Sequence, residues 1–233
     1  MMDGLDFNAI LVTASVWILP ILLAVTMHEA AHGWVAWKLG DDTAKRAGRV
    51  TFNPISHIDL FGTIIVPAML LLASGGKYMF GFAKPVPVNF FALKRPRRDM
   101  ILVAAAGPGA NIIIATICAI LLNWAHMVPE IAVDWVASNL LISLHINVIL
   151  AVFNLLPLPP LDGGRIAVGI LPQPFSGALS RLEKAGFLII IFALFILPWI
   201  GDKIGADLNI IWWLVGVPAG YLTNAIAGLA GLT

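Results

Sequence analysis

Residues 9–38 read AILVTASVWILPILLAVTMHEAAHGWVAWK, and the reading of this stretch decides the rest of the chain. A helix needs about 20 apolar residues to cross a bilayer, and this segment exceeds that. Within it lies His28-Glu29-Ala30-Ala31-His32. On a helix, positions i and i+4 share a face, so the two imidazoles can hold one zinc ion. Glu29, between them, can serve as general base toward a water at that zinc. The alternative is three polar residues packed among helices. A carboxylate and two imidazoles in hydrocarbon are costly unless they serve a purpose, which favours the metal reading. Pro20 predicts a kink, because proline removes a backbone donor and clashes with the preceding turn. Lys38 ends the segment about 15 Å beyond His28 at ~1.5 Å per residue, which sets the zinc below the membrane surface.

The composition extends this reading. The 233 residues are 60% hydrophobic and only 12% charged. Apolar stretches of spanning length recur, as expected for an all-α polytopic membrane protein surrounded by lipid. The net charge of +1 gives no reason to expect a nucleic-acid partner. Cys118 is the single cysteine, so neither a disulfide framework nor a thiolate zinc site is expected. Residues 1–7 contain Asp3 and Asp6 but no Lys or Arg, which does not fit a signal peptide.

Five full spans are expected, at about residues 9–38, 100–124, 136–156, 186–200 and 208–229. Ile58–Ala73 is apolar but short, and Pro67 interrupts it. It is followed by KYMFGFAKPVPVN at Lys77–Asn89. Alternate prolines exclude a central strand, so an extended or β edge segment is expected there. If Ile58–Ala73 crossed the membrane, His28 and Asp162 would lie near opposite faces. If it is re-entrant, every Lys and Arg except Lys203 falls on one side, and the positive-inside rule prefers that arrangement. The first residues then lie outside and the site faces the cytoplasm, as in a cell (inner) membrane protein. Irregular backbone at this depth requires cover by protein or water, which a re-entrant element lining a cavity provides.

A catalytic zinc usually has three protein ligands and one open position. The candidate third is Asp162, in Asn154-Leu155-Leu156-Pro157-Leu158-Pro159-Pro160-Leu161-Asp162-Gly163-Gly164. The prolines end a span, and the glycines permit a tight turn that brings the carboxylate back toward the metal. A turn or N-cap carboxylate is the competing reading. HEAAH, Gly107-Pro108-Gly109-Ala110-Asn111 and this proline-rich motif together resemble the site-2 protease family of intramembrane zinc metalloproteases. The resemblance covers about residues 9–165. It implies His28, His32 and Asp162 as ligands of one zinc per chain and Glu29 as general base. It also implies a core of three helices and a substrate contact at Asn154. The stretch GRVTFNPISHID resembles a compact subgroup, and no appended PDZ-like or nucleotide-sensing segment is evident.

Other polar residues carry open alternatives. Asn111 either donates to a developing oxyanion, as a substrate-binding residue, or satisfies backbone freed by Pro108. His57 caps the re-entrant helix, contacts substrate or holds a second ion. Interhelical hydrogen bonding is the default for His145 and Asn147. The edge around Met79–Val88, with Val86 and Val88, can hold an unwound substrate as an added strand. The whole chain is expected to form one integral-membrane domain, with a catalytic core at about 9–165 and C-terminal helices at about 186–229. Its expected activity is hydrolysis of peptide bonds in membrane-spanning proteins near the cytoplasmic face. A transporter or channel, or a non-proteolytic zinc protein, is the alternative. Glu29 is the only acid inside the spans and sits between two histidines, which suits a zinc site better than an ion relay.

Overall fold

The computed structural model describes residues 7–73, 81 and 83–232. Helix α1 runs Phe7–Lys38 without a break, with Pro20 inside it and fully buried. It is apolar on every side, the mark of a helix surrounded by protein and lipid. The short α2 (Thr43–Arg46) and a 3₁₀ turn (Pro54–His57) lead to a π-helical turn, Leu60–Ile65, that continues into α3 (Val66–Ala73). Asp59 caps this element by accepting from the Phe61 and Gly62 amides. The cap expected at His57 is therefore supplied two residues later.

Helix α4 (Pro96–Leu122) starts with proline at its first position, where the missing N–H costs nothing. The Asp99 carboxylate reaches back to accept the Arg95 amide. Helix α5 (Glu130–Asn154) ends where Pro157, Pro159 and Pro160 forbid continuation. Three short helices follow: α6 (Asp162–Ile170), α7 (Phe175–Arg181) and α8 (Glu183–Ile191). A π turn joins α8 to α9 (Leu197–Ile204), and a second π turn, Trp212–Gly216, leads into α10 (Val217–Leu229).

Among the described residues, four helices are long and apolar enough to span a bilayer: α1, α4, α5 and the continuous Glu183–Ile204. The fifth expected span, about 208–229, takes the form of the second π turn plus the 13-residue α10. Helix α4 is central and packs against α1, α5 and α6. Small residues permit the close approach, including Ala24, Ala30 and Ala36 on α1 and Ala104, Ala115 and Ala119 on α4, all buried. One core cluster joins Ala115, Cys118 and Ala119 to Leu144 and Val148 of α5 and to Ala219 and Ile226 of α10. Leu23, Ile113, Ile117 and Leu141 face outward, as lipid-facing residues do. At the end of α1, the Lys45 ammonium lies 3.8 Å from the Trp37 ring, a cation–π contact suited to the interface.

The expected extended or β edge is described only in part. There is no β-strand among the described residues. Of the expected edge, residues 77–80 and 82 lie outside the described residues, whereas 83–89 form an extended coil without a ladder partner. Pro85 and Pro87 lack the amides that a ladder requires. Side chains and loop backbone brace the coil instead. The Lys84 amide donates to the His57 carbonyl at 3.0 Å, and Arg49 Nη2 donates to the Lys84 carbonyl. The Asn89 amide donates to buried Asp41 at 2.6 Å.

Candidate metal centre

Three helices build the centre. Helix α1 places His28 and His32 one turn apart on the face turned to α4, with ring centroids 4.6 Å apart. Their Nε2 atoms lie 3.0 Å from each other. Asp162 stands at the first position of α6, and its Oδ2 lies 3.2 Å from His28 Nε2 and 3.3 Å from His32 Nε2. All three residues are buried, and one ligand atom from each falls within 4.8 Å of the others.

The ring contacts set the proton positions. His28 Nδ1 donates to Asn111 Oδ1 at 2.6 Å, and His32 Nδ1 donates to the Val103 carbonyl at 2.7 Å. In neutral imidazoles these bonds place the proton on Nδ1 and leave both Nε2 atoms as lone-pair donors. Two lone pairs and a carboxylate oxygen then face a single point. Asp162 Oδ2 is buried and has no hydrogen-bond partner among the described residues, so its contacts to the imidazoles are ionic only when an imidazole carries an additional proton. In that protonated form, burial pushes the Asp162 carboxyl up, while hydrogen bonds from His28 and His32 and the imidazole charge outweigh it. The carboxyl is then held below the usual carboxylate range. Positive charge is required in either case. Two neutral imidazoles and one carboxylate at this separation fit a zinc ion, and three protein ligands are the set with which a catalytic zinc keeps its fourth position open.

The surrounding residues explain the second sequence motif. Gly107 lies directly across from the cluster. A Cβ there would fall 2.4 Å from His32 Nε2 and 2.6 Å from His28 Nε2, so only glycine fits. Asn111 is fully buried. Its amide nitrogen donates to the Ala24 carbonyl at 3.2 Å and to Asn147 Oδ1 at 2.7 Å. Every polar atom of that side chain is therefore engaged within the protein, and a substrate contact at Asn111 does not fit this placement. Asn147 forms the interhelical bond expected of it, whereas the His145 ring bonds back to the Leu141 carbonyl of its own helix at 2.8 Å.

Gly163 and Gly164 lie in the first turn of α6. Their role is close approach, since a Cβ would meet the Leu155 carbonyl oxygen at 2.1 Å and Pro159 N at 2.2 Å, respectively. Glu29, next to His28 on α1, is half-buried. Its Oε2 accepts the Val86 amide at 2.7 Å. Val86 is buried, and Val88 packs beside Ala36, Leu93 and Val103. Asn154 is half-buried, and its amide bends back to the Leu150 carbonyl at 3.0 Å. His57 is buried, with Nε2 on the Thr51 carbonyl at 3.1 Å and no hydrogen-bond partner at Nδ1 among the described residues. Sequence reading missed the roles of Gly107 and Val103. A glycine in mid-helix beside a proline was the available signal for the first, and none exists for a backbone carbonyl.

Comparison with known proteins places the chain in a family. Residues 16–131 and 125–198 match the family model for peptidase family M50. YwhC of Bacillus subtilis (strain 168), named as a zinc metalloprotease, is 41% identical over 185 residues, covering 78% of this chain and 80% of the relative. Rip2 of Mycolicibacterium smegmatis, also named as a zinc metalloprotease, is 31% identical over 174 residues, covering 74% of this chain and 64% of the relative. Rip2 of Mycobacterium tuberculosis (strain ATCC 25618 / H37Rv) is 29% identical over 195 residues, covering 83% of this chain and 70% of the relative. No solved structure matches the chain significantly. Matched across most of its length, the chain belongs to peptidase family M50, the site-2 protease family, and is a membrane metalloprotease.

Proposed function

We propose that this protein hydrolyses peptide bonds of membrane-spanning substrates near the cytoplasmic face, using one zinc per chain held by His28, His32 and Asp162. The observation that carries the reading is the buried, unpartnered Oδ2 of Asp162 facing two lone-pair nitrogens. A bound zinc supplies Lewis acidity toward a carbonyl and toward water. The other steps belong to the chain. Glu29 takes the proton of the attacking water and returns it to the leaving amine. Asn111 and the Val103 carbonyl keep both imidazoles in the ligating tautomer. Val86, Val88 and Asn154 are the proposed substrate contacts.

The topology we infer has Ile58–Ala73 as a re-entrant element, the first residues outside and the site toward the cytoplasm of a cell membrane. The bond between Lys84 and His57 supports it, because the chain before Ile58 and the chain after Ala83 meet at one depth. Gly81 adds to this support: a Cβ there would meet Pro67 Cγ at 2.7 Å, so the returning chain lies beside the outgoing helix. The Lys and Arg distribution points the same way. One integral-membrane domain, with a catalytic core at about 9–165 and C-terminal helices at about 186–229, is the matching organisation.

The test pairs elemental analysis with cleavage of a panel of single-span substrates. The wild type should hold one zinc per chain and cut, and His32→Ala should lose the metal. Glu29→Gln should keep the zinc and fail to cut, since an amide cannot accept the water proton. Equal zinc in the wild type and His32→Ala overturns the ligand set. Near-normal cleavage by Glu29→Gln overturns the base.

A further inference from the structure

Glu29 and Gly33 are one turn apart on the same face of α1. The 83–89 coil lies across that face. A Cβ on Gly33 would fall 3.1 Å from Val86 Cγ1 and 3.1 Å from Val50 Cγ2, so the missing side chain leaves room for Val86. Seated there, the Val86 amide donates to Glu29 Oε2 at 2.7 Å and leaves Oε1 free of that bond.

The coil is fixed on both sides of this contact. Upstream, the His57 backbone carbonyl accepts the Lys84 amide, and Arg49 donates to the Lys84 carbonyl. Arg49 is buried, which is costly for a guanidinium unless it performs a task. Downstream, Asp41 is fully buried and takes the Asn89 amide on one oxygen and the Thr43 amide on the other. Pro85 and Pro87 make the register strict. Neither has an N–H, so a slip of one residue in either direction would present Glu29 with no donor at all.

We propose that the Lys84–Asn89 coil is a positioning device for the general base: Arg49, His57 and Asp41 fix it so that the Val86 amide aims the Glu29 carboxylate, and Arg49 is a positioning residue for peptide hydrolysis. The inference rests on the assignment of Glu29 as the base. It gives the coil a role on the enzyme's own machinery besides any contact with substrate. A misplacement of about 1 Å in a reacting group can cost roughly 100-fold in rate, so an unaimed carboxylate should lower turnover and leave binding nearly intact.

Two measurements on the full-length zinc-loaded protein in liposomes test it. The first needs no cleavage: hydrogen exchange of the fragment spanning Lys84–Val88, in which Pro85 and Pro87 contribute no amide. In Glu29→Ala and in Arg49→Ala, one protected amide should exchange at least tenfold faster than in the wild type. Unchanged exchange in Glu29→Ala overturns the proposal. The second is the split between kcat and KM on a single-span substrate. Val86→Pro, which removes the donor, should have a kcat at least tenfold below that of Val86→Ala, which keeps it, with KM values within about threefold and equal zinc. Arg49→Ala should lower kcat, and Arg49→Lys should recover most of it. Equal kcat in the two Val86 variants, or an Arg49→Ala effect confined to KM, overturns it. Wild-type protein that cuts nothing refutes the peptidase reading, while the exchange result still decides whether Val86 holds Glu29.

Discussion

Replacing Gly107 by alanine is the sharpest test of the metal centre. The added Cβ would lie 2.4 Å from His32 Nε2, whereas ordinary contact begins near 3.4 Å, so about 1 Å must be found. The imidazoles cannot supply it freely, because their Nδ1 atoms are tied to Asn111 and Val103. The helices cannot part easily either, because α1 and α4 meet through small buried residues. Zinc–ligand distances tolerate about 0.2 Å, roughly a fifth of the required shift. The expected result is at least a 100-fold loss of zinc affinity, about 2.7 kcal/mol. Gly109→Ala is the control, because a Cβ there meets nothing within 4 Å. Both changes raise helix propensity by about 1 kcal/mol, so propensity alone would improve both proteins. The assay is competition with a chromogenic chelator, followed by elemental analysis of the dialysed protein. If Gly107→Ala holds zinc as tightly as Gly109→Ala, the placement of the centre against α4 is wrong.

Three further outcomes are expected. Asn111→Ala frees the His28 ring and removes a link between helices, so chelator competition should show a 10- to 100-fold weaker zinc site. Gly164→Ala drives a Cβ to 2.2 Å from the backbone of Pro159, so α6 must move; the thermal midpoint in detergent should fall, and zinc content should fall with it. With Cys118 replaced, cysteines at Thr43 and Asn89 should both be labelled from the cytoplasmic face alone; labelling from opposite faces would sink the re-entrant topology.

The convergence of the centre was legible in the sequence for a physical reason. Helical spacing puts His28 beside His32, and the cost of opposite-face topology brings Asp162 to their depth. The apolar runs gave α1, α4, α5 and Glu183–Ile204 directly. What stayed hidden depends on contacts between distant segments. Gly107 reads as a flexible break until the imidazoles opposite it are seen. Gly163 and Gly164 read as a turn but are helical, spaced for the loop that passes over them. The bond from Val86 to Glu29 joins a coil to a helix 57 positions away in the chain, and no periodicity announces it. The edge segment was expected as an extended or β edge, and what the sequence did not show is that Arg49, the His57 carbonyl and Asp41 hold it.

Asn111 has one more consequence. Its side chain touches α1 at Ala24 and His28 and α5 at Asn147, while α4 carries it. In lipid, no hydrophobic force tells one apolar helix how far to slide along another. A single buried amide joining three helices pins their axial register without any ion. The order of assembly follows from that. The bundle can be complete before metal arrives, and zinc fills a ready-made seat. This chain should therefore survive chelation as a folded protein and regain its metal by simple addition, unlike small zinc domains that unfold when stripped.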